Sequence, residues 1–437
     1  MPGSLPYFLA MTMVATAATA QVHLPSPGLP ALPLQTLQQT LPQTLNQAQS
    51  LDALSGLRRL EISRLIRANR KLVDTDPDGE PVVRNEILGL SPSNDAMGKA
   101  LSLGFTVDRE QTIDAMNVRL VVFKGPQGMS TKKALRTLRE ADPGGSYDYN
   151  HIYMRGGAQS GDSRNTAAAQ DAPPTVPAAP DTRSHVRMGL LDTGVDVTHP
   201  VFHESIVHLW GCDNHPVPAA HGTAVASLLI GHSEVFHGVR PDAELYAADV
   251  YCGRATGGAV DALVSAFGWL VQEKVPVINV SLVGPKNTML ERVINSLIAS
   301  GYIIVAAVGN DGPAAPPLYP ASYPHVVGVT AVDAHRHAIV EAAHGPQVMF
   351  ASPGADLAAA AGDHAYAEVR GTSFAAPFVT ALLASGMKAP DSASAAAAID
   401  ALAKTAIDLG LPGRDLTYGF GLVGADYRID PAPLIHR

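Results

Sequence analysis

The chain reads as α/β: a mostly parallel, doubly wound sheet with helices on both faces. Two patterns predict it. Beyond residue 186, apolar runs of strand length alternate with stretches of helical length, and the runs are largely free of polar alternation, as strands covered on both faces are. The length agrees: 437 residues, 46% hydrophobic and 16% charged, suit one large α/β domain or two to three smaller ones. The expected strands are residues 187–192, 244–251, 275–282, 302–310 and 325–333. Helices are expected at 221–231, 258–273 and 288–300 between them, and at 373–387 and 392–406 after the last. Ligands of such sheets bind beyond the carboxyl ends of the strands, which makes strand-end residues the first candidates for function.

From the amino terminus, residues 1–50 contain no Asp, Glu, Lys or Arg. Residues 8–14 are apolar and lead to Ala18-Thr19-Ala20, so residues 1–20 are expected to be a cleaved signal peptide, although no Lys or Arg precedes the apolar part. That part is too short to span a bilayer, and no later stretch is long enough. Residues 21–50, rich in Pro, Leu and Gln, read as a spacer. Leu54, Leu57, Leu60 and Leu65 then recur at helical spacing among Arg58, Arg59, Arg64, Arg67 and Arg70, a solvated helix face. Residues 103–153 form a small α/β unit. A strand at 118–123 is broken by Gly125-Pro126, Ser130 caps a helix running to Glu140, Asp142-Pro143-Gly144-Gly145 ends it, and a strand at 147–153 follows. Residues 156–184, rich in Ala and Pro, are a linker, which divides a 51–155 domain from a 185–437 domain.

Charge narrows the partners. With 31 Lys+Arg against 40 Asp+Glu and a net charge of -9, the chain lacks the basic surplus that holds a phosphate backbone, so nucleic acid is not expected. Residues 51–155 carry 16 basic and 14 acidic groups, and residues 185–437 carry 13 and 23. Two cysteines exclude a disulfide-dense scaffold.

Four residues at strand ends and helix starts make a chemical set. Asp192 ends the first strand before Thr193-Gly194; His221 opens a helix in His221-Gly222-Thr223; Asn310 ends a strand in Val308-Gly309-Asn310; Ser373 stands in Gly371-Thr372-Ser373-Phe374-Ala375-Ala376-Pro377. A serine hydroxyl needs a base to take its proton, the base needs a carboxylate to fix its tautomer, and the oxyanion needs a positioned donor. An α/β-hydrolase would require Gly-x-Ser-x-Gly and the order Ser, acid, His, and neither is present.

These motifs, in this order, resemble those of the subtilisin-like serine proteases, over residues 185 to 427 and including Tyr418-Gly419-Phe420-Gly421. The resemblance implies Asp192 as orienting carboxylate, His221 as general base, Ser373 as nucleophile and Asn310 as oxyanion-hole donor. It implies a substrate groove between Ser281-Leu282-Val283-Gly284 and Gly257-Gly258, with the peptide added as a β-strand. Val283 departs from the glycine usual beside the primary specificity pocket. The resemblance also gives residues 51–155 the part of a propeptide that assists folding and then covers the site, with cleavage between Tyr153 and Asp181.

No cofactor is expected. The chain passes from Gly231-His232 to Gly238-Val239 without an oxygen-rich cage, so no calcium is expected there. His199, His203, His208, Cys212 and His215 fit no tight zinc spacing. In an exported protein Cys212 and Cys252 suggest one disulfide, two buried thiols being the alternative. The expected function is a monomeric, secreted serine endopeptidase made as a zymogen, acting on polypeptides and on its own propeptide. The alternative is a non-catalytic peptide-binding protein on the same scaffold.

Overall fold

A computed structural model describes residue 56 and residues 58–113, 116–155, 158–159 and 186–435. The expected signal peptide and spacer, and most of the linker, lie outside them. After helix α1 (residues 58–68) come β1 (Val73–Thr75), β2 (Pro81–Leu90), α2 (Asn94–Ser102), β3 (Thr106–Ile113), β4 (Val118–Lys124), α3 (Thr131–Ala141) and β5 (Tyr147–His151). The strands form one antiparallel sheet in the order β1-β2-β4-β3, with β5 also on β2. Ser93 and Ser130 cap the two helices by accepting from Ala96 N and Lys133 N. The small unit starts earlier than the expected residue 103. In β2 the apolar residues are interrupted at Arg84-Asn85-Glu86, where Asn85 has φ +61° and the pairing with β5 slips, so the strand reads poorly as a periodic pattern.

The chain continues through β6 (Met154–Arg155) and β7 (Ala158–Gln159) to the large unit. That unit contains β8 (Arg187–Asp192), β9 (Ile206–Trp210), α4 (Ala220–Ile230), β10 (Glu244–Asp249), α5 (Val260–Gln272), β11 (Val277–Val280), β12 (Leu282–Val283), α6 (Thr288–Ala299) and β13 (Ile303–Ala307). It ends with β14 (Val327–Val332), β15 (Val348–Pro353), β16 (Leu357–Ala360), β17 (Tyr366–Arg370), α7 (Thr372–Ala384) and α8 (Ser392–Thr405). Seven strands pair in parallel in the order β15-β14-β13-β11-β8-β10-β9. Alternate residues of one strand serve two cores, which is why the runs are continuously apolar: Val277, Ile303 and Val305 join α4 and α7 on one face, and Ile278, Ile304 and Ala306 join α5 and α6 on the other. Two sheet strands, β9 and β15, went unpredicted. β9 is a half-exposed edge with no fully buried residue, so its pattern carries little signal.

Candidate active site

Asp192 closes β8 at the carboxyl end of the sheet and is fully buried. Its Oδ1 accepts from Thr193 N at 2.7 Å and from Thr193 Oγ1 at 3.3 Å. His221 is the second residue of α4, and its Nδ1 lies 2.7 Å from Asp192 Oδ1 and 3.0 Å from Oδ2. A carboxylate only accepts, so Nδ1 carries the proton and Nε2 is left as the base. The helix is pinned to the strand end locally: Gly222 N donates to Thr193 Oγ1 at 2.8 Å, and a Cβ on Gly222 would stand 2.2 Å from Thr193 O. The glycine of His-Gly-Thr is therefore a packing requirement.

Ser373 is the second residue of α7, whose first turn has no side-chain cap of its own. Ser373 Oγ donates to Ser281 O at 3.1 Å, and Ser281 Oγ donates to Ser373 O at 2.9 Å, tying the helix start to the chain between β11 and β12. Asn310 Oδ1 accepts from Thr372 N at 3.0 Å, which turns the amide so that Nδ2 is the open donor. Asn310 Nδ2 and His221 Nε2 are both buried with no hydrogen-bond partner among the described residues. One is a donor and the other an acceptor. Both border Ser373, since Thr372 holds Asn310 and the Phe374 ring lies 5.3 Å from the imidazole. Buried polar groups are normally paired, so this pair of orphans marks where a reacting group fits.

The chain itself crosses this place. Ile152 bridges Ala259, Tyr153 N donates to Gly258 O at 2.9 Å, and β6 pairs antiparallel with β12, Arg155 opposite Leu282 and Met154 opposite Val283. Beyond, Ala158 and Gln159 pair antiparallel with Arg370 and Val369, three residues short of Ser373. Of the expected groove, Ser281, Leu282, Val283 and Gly284 therefore face the segment. On the far wall Gly258 makes the contact, while Gly257 bonds back to Arg254 within a turn. That wall is a turn rather than a strand.

Sequence reasoning missed the residues that hold the small unit over the site. Asp148 Oδ2 accepts from Thr288 N and Thr288 Oγ1, both at 2.8 Å, at the start of α6. Asn150 Oδ1 accepts from Asp261 N at 3.2 Å at the start of α5, whose N-cap, Ala259, offers no side chain. Two strand residues thus complete two helix ends that belong to the other unit. Arg109 bridges Glu86 and Asp261 at 2.7 and 2.6 Å, and Arg58 lies 2.7 Å from Glu80 and 3.6 Å from Asp311, beside Asn310. Burial raises the Asp311 carboxyl, and Arg58 opposes that shift.

Cys212 and Cys252 are joined, with Cα atoms 5.3 Å apart. Between their loops sits Asp249, also missed, which ends β10 and accepts from Val217 N, Tyr251 N and Cys252 N. Burial holds its carboxyl above the ordinary value against those three donors. A buried aspartate ending a predicted strand was the available signal. Among the described residues, Cys212, Asp249 and Cys252 form the one His/Cys/Asp/Glu group close enough for a metal, and its sulfurs are bonded to each other. The histidines are dispersed: His199 is buried between Val201 N and Ala365 O, and His208 stacks on Tyr246. No helix among the described residues is long and apolar enough to cross a membrane.

Comparison with known proteins agrees with this geometry. The sequence model of the Subtilase family matches residues 183–421. The chain is 30% identical over 253 residues to Subtilisin DY of Bacillus licheniformis, a match covering 56% of this chain and 90% of that one. It is 30% identical over 207 residues to the Minor extracellular protease Epr of Bacillus subtilis (strain 168), over 46% of this chain and 32% of that one. The crystal structure of fervidolysin from Fervidobacterium pennivorans, a keratinolytic enzyme related to subtilisin, is similar in fold, with a TM-score of 0.65 at 20% identity over 80% of this chain and 61% of that one. Fold and matches together define a serine endopeptidase. The chain belongs to the subtilase family.

Proposed function

We propose that the protein is an exported endopeptidase made as a zymogen, that it hydrolyses peptide bonds through an acyl-enzyme on Ser373, and that residues 51–155 are its propeptide. The observation that carries this reading is the course of residues 152–159, which pair antiparallel with Ala259 and β12 before Ser373 and with β17 after it, as an extended substrate would. In the reaction, Ser373 Oγ bonds to the carbonyl carbon as its proton passes to His221 Nε2, while Asp192 holds the resulting imidazolium. Asn310 Nδ2 and the Ser373 N–H receive the oxyanion. The carbon–nitrogen bond then breaks, the imidazolium gives its proton to the leaving amine, and water, deprotonated by His221, hydrolyses the acyl-enzyme. The Ser373 proton begins on Ser281 O, so the hydroxyl must turn to His221 before attack. Hydrogen bonds of this kind often tighten only with substrate bound.

Between Arg155 and Ala158 lie Gly156 and Gly157, outside the described residues. Continuing the β6–β12 register by one residue gives Gly156 the position opposite Ser281, which nominates Gly156–Gly157 as the bond cut in self-processing. Intact mass and N-terminal sequencing of the wild type beside Ser373→Ala test this reading. A wild-type species beginning at Gly157, with the variant left long and refractory to a fluorophosphonate, is expected. If both chains stay long and neither takes the label, the protease reading fails and the groove is a peptide-binding site.

A further inference from the structure

Tyr153 is the groove residue most completely enclosed. It is fully buried, and its Oη donates to Pro285 O at 2.7 Å. The nearby Tyr323 Oη, 3.5 Å away, is already committed, accepting from Asn287 N and donating to Asn287 O, each at 2.9 Å. The Tyr153 proton therefore belongs to the Pro285 carbonyl. The backbone is gripped on both sides, Tyr153 N by Gly258 O and Tyr153 O by Tyr251 Oη at 2.8 Å. The walls leave no spare room: a Cβ on Gly284 would stand 2.7 to 2.8 Å from three atoms of the Tyr153 ring, and one on Gly258 would be 2.4 Å from Tyr153 O. All these groups lie in the large unit, so the pocket remains when residues 51–155 leave.

Three residues further on, the position opposite Ser281 is the reverse of roomy. A side chain there projects to the same face of the β6–β12 pair as its diagonal neighbour, Val283. Val283 is 3% exposed and Leu318 6%. Leu318 Cδ1 occupies the space beside Gly309, 2.7 Å from where a Cβ on that glycine would stand, and Gly309 adjoins Asn310. Two aliphatic side chains thus stand where the side chain before the cleaved bond would go.

We infer that this enzyme selects the pattern Tyr-x-x-Gly, with the glycine carbonyl attacked: the tyrosine is recognised through its hydroxyl by Pro285 O, and Val283 and Leu318 exclude side chains at the glycine. The inference rests on the protease reading above. The test uses the self-processed protein and internally quenched peptides built on Asn-His-Ile-Tyr-Met-Arg-Gly-Gly-Ala-Gln. Replacing the tyrosine by Phe leaves the Pro285 carbonyl unpaired and is expected to lower kcat/KM about tenfold, and replacing it by Ala about a hundredfold or more. Replacing the first glycine by Leu or Phe is expected to lower it about a hundredfold or more, because the site has no volume to yield. In Val283→Gly/Leu318→Gly the Leu peptide should recover at least about tenfold while the Tyr-over-Phe ratio stays, a reciprocal change that loss of folding does not produce. Values within about threefold across the wild-type series overturn the selectivity while leaving the protease reading intact. So does failure to cut any peptide by a chain that still accepts a fluorophosphonate. Loss of both cleavage and labelling overturns the underlying reading itself.

Discussion

The two units meet across residues 152–159, and they are held by different physics. In the large unit the site is set by elements whose side chains are buried and whose hydrogen bonds interlock: Thr380 Oγ1 holds Asn279, Asn279 holds Ser281, and Ser281 and Ser373 hold each other. The small unit has its own apolar centre around Phe105, Phe123 and Leu138, but it grips its neighbour with carboxylates, an arginine bridge and helix ends completed from outside. The contrast suggests a durable site beneath a cover whose hold responds to charge. Breaking the first should abolish chemistry and leave the fold; breaking the second should release the cover and leave chemistry.

The largest effect belongs to Ser373→Ala. Peptide hydrolysis by that variant should fall by about 10^4-fold or more, while its melting temperature stays near that of the uncleaved wild type, since the lost hydroxyl serves only Ser281 O. Single-turnover acylation of the purified chain measures it. Next comes Asn310→Ala. Deleting one preorganised oxyanion donor typically lowers kcat by about 10^2 to 10^3-fold, and KM should hardly move because Nδ2 meets charge that develops only in the transition state. A parallel rise in KM would assign Asn310 to substrate binding instead.

These two predictions concern residues that are legible in the amino-acid sequence alone, and the reason is physical. Asp192, His221, Asn310 and Ser373 each need a fixed neighbour: a turn after the strand, a glycine against Thr193, a helix start at Gly371. The constraint writes itself into contiguous motifs. The sheet is legible for a related reason, since burial on both faces leaves no alternation to misread. Asp148, Asn150, Arg58 and Tyr153 are not legible. Their roles depend on contacts 111 to 253 residues away along the chain, such as Asn150 with Asp261 and Arg58 with Asp311, and no local pattern encodes such a partner. β2 fails for the opposite reason: its bulge at Asn85 breaks the period that would have announced it.

A third prediction sharpens the comparison at the cover. In Asp148→Asn the first turn of α6 exchanges a charged acceptor for a neutral one at Thr288 N. The expected loss, about 0.5–2 kcal/mol for a helix cap, should speed release of the cleaved small unit about threefold to thirtyfold. The lag before peptide hydrolysis begins reports that release. The rate of hydrolysis after the lag should match the wild type, because no residue of the site touches Asp148 directly; a slower final rate would mean that the cover also shapes the site.

The smallest effect is a dependence on pH whose sign differs between the units. Burial pushes the Asp76 carboxyl up, but the hydrogen bond from His151 and the amides of Glu80 and Asp78 outweigh it and hold the group below its ordinary value. A depressed carboxyl stabilises the fold fully above the unfolded value, near about pH 4, and loses that contribution as pH falls through the folded one. Asp249 is raised by burial, so its contribution is full below the unfolded value and is lost as pH rises through the folded one. Acid should therefore loosen the small unit before the sheet beneath it. His151 transmits the change to the contact, since its Nε2 faces Asp76 while its Nδ1 accepts from Asn287 Nδ2, whose Oδ1 is committed to Met289 N and Leu290 N. In uncleaved Ser373→Ala, lowering the pH from 6 to about 3 should expose the amides of residues 147–151 to exchange ahead of those in β11. Adding Asp76→Asn should remove part of that pH dependence, with a change in Tm on the order of 2–4 °C. Equal pH dependence with and without Asp76 would place the acid-sensitive hold at Asp148 and the Arg109 bridge, leaving the contrast between the units intact but moving its titrating group.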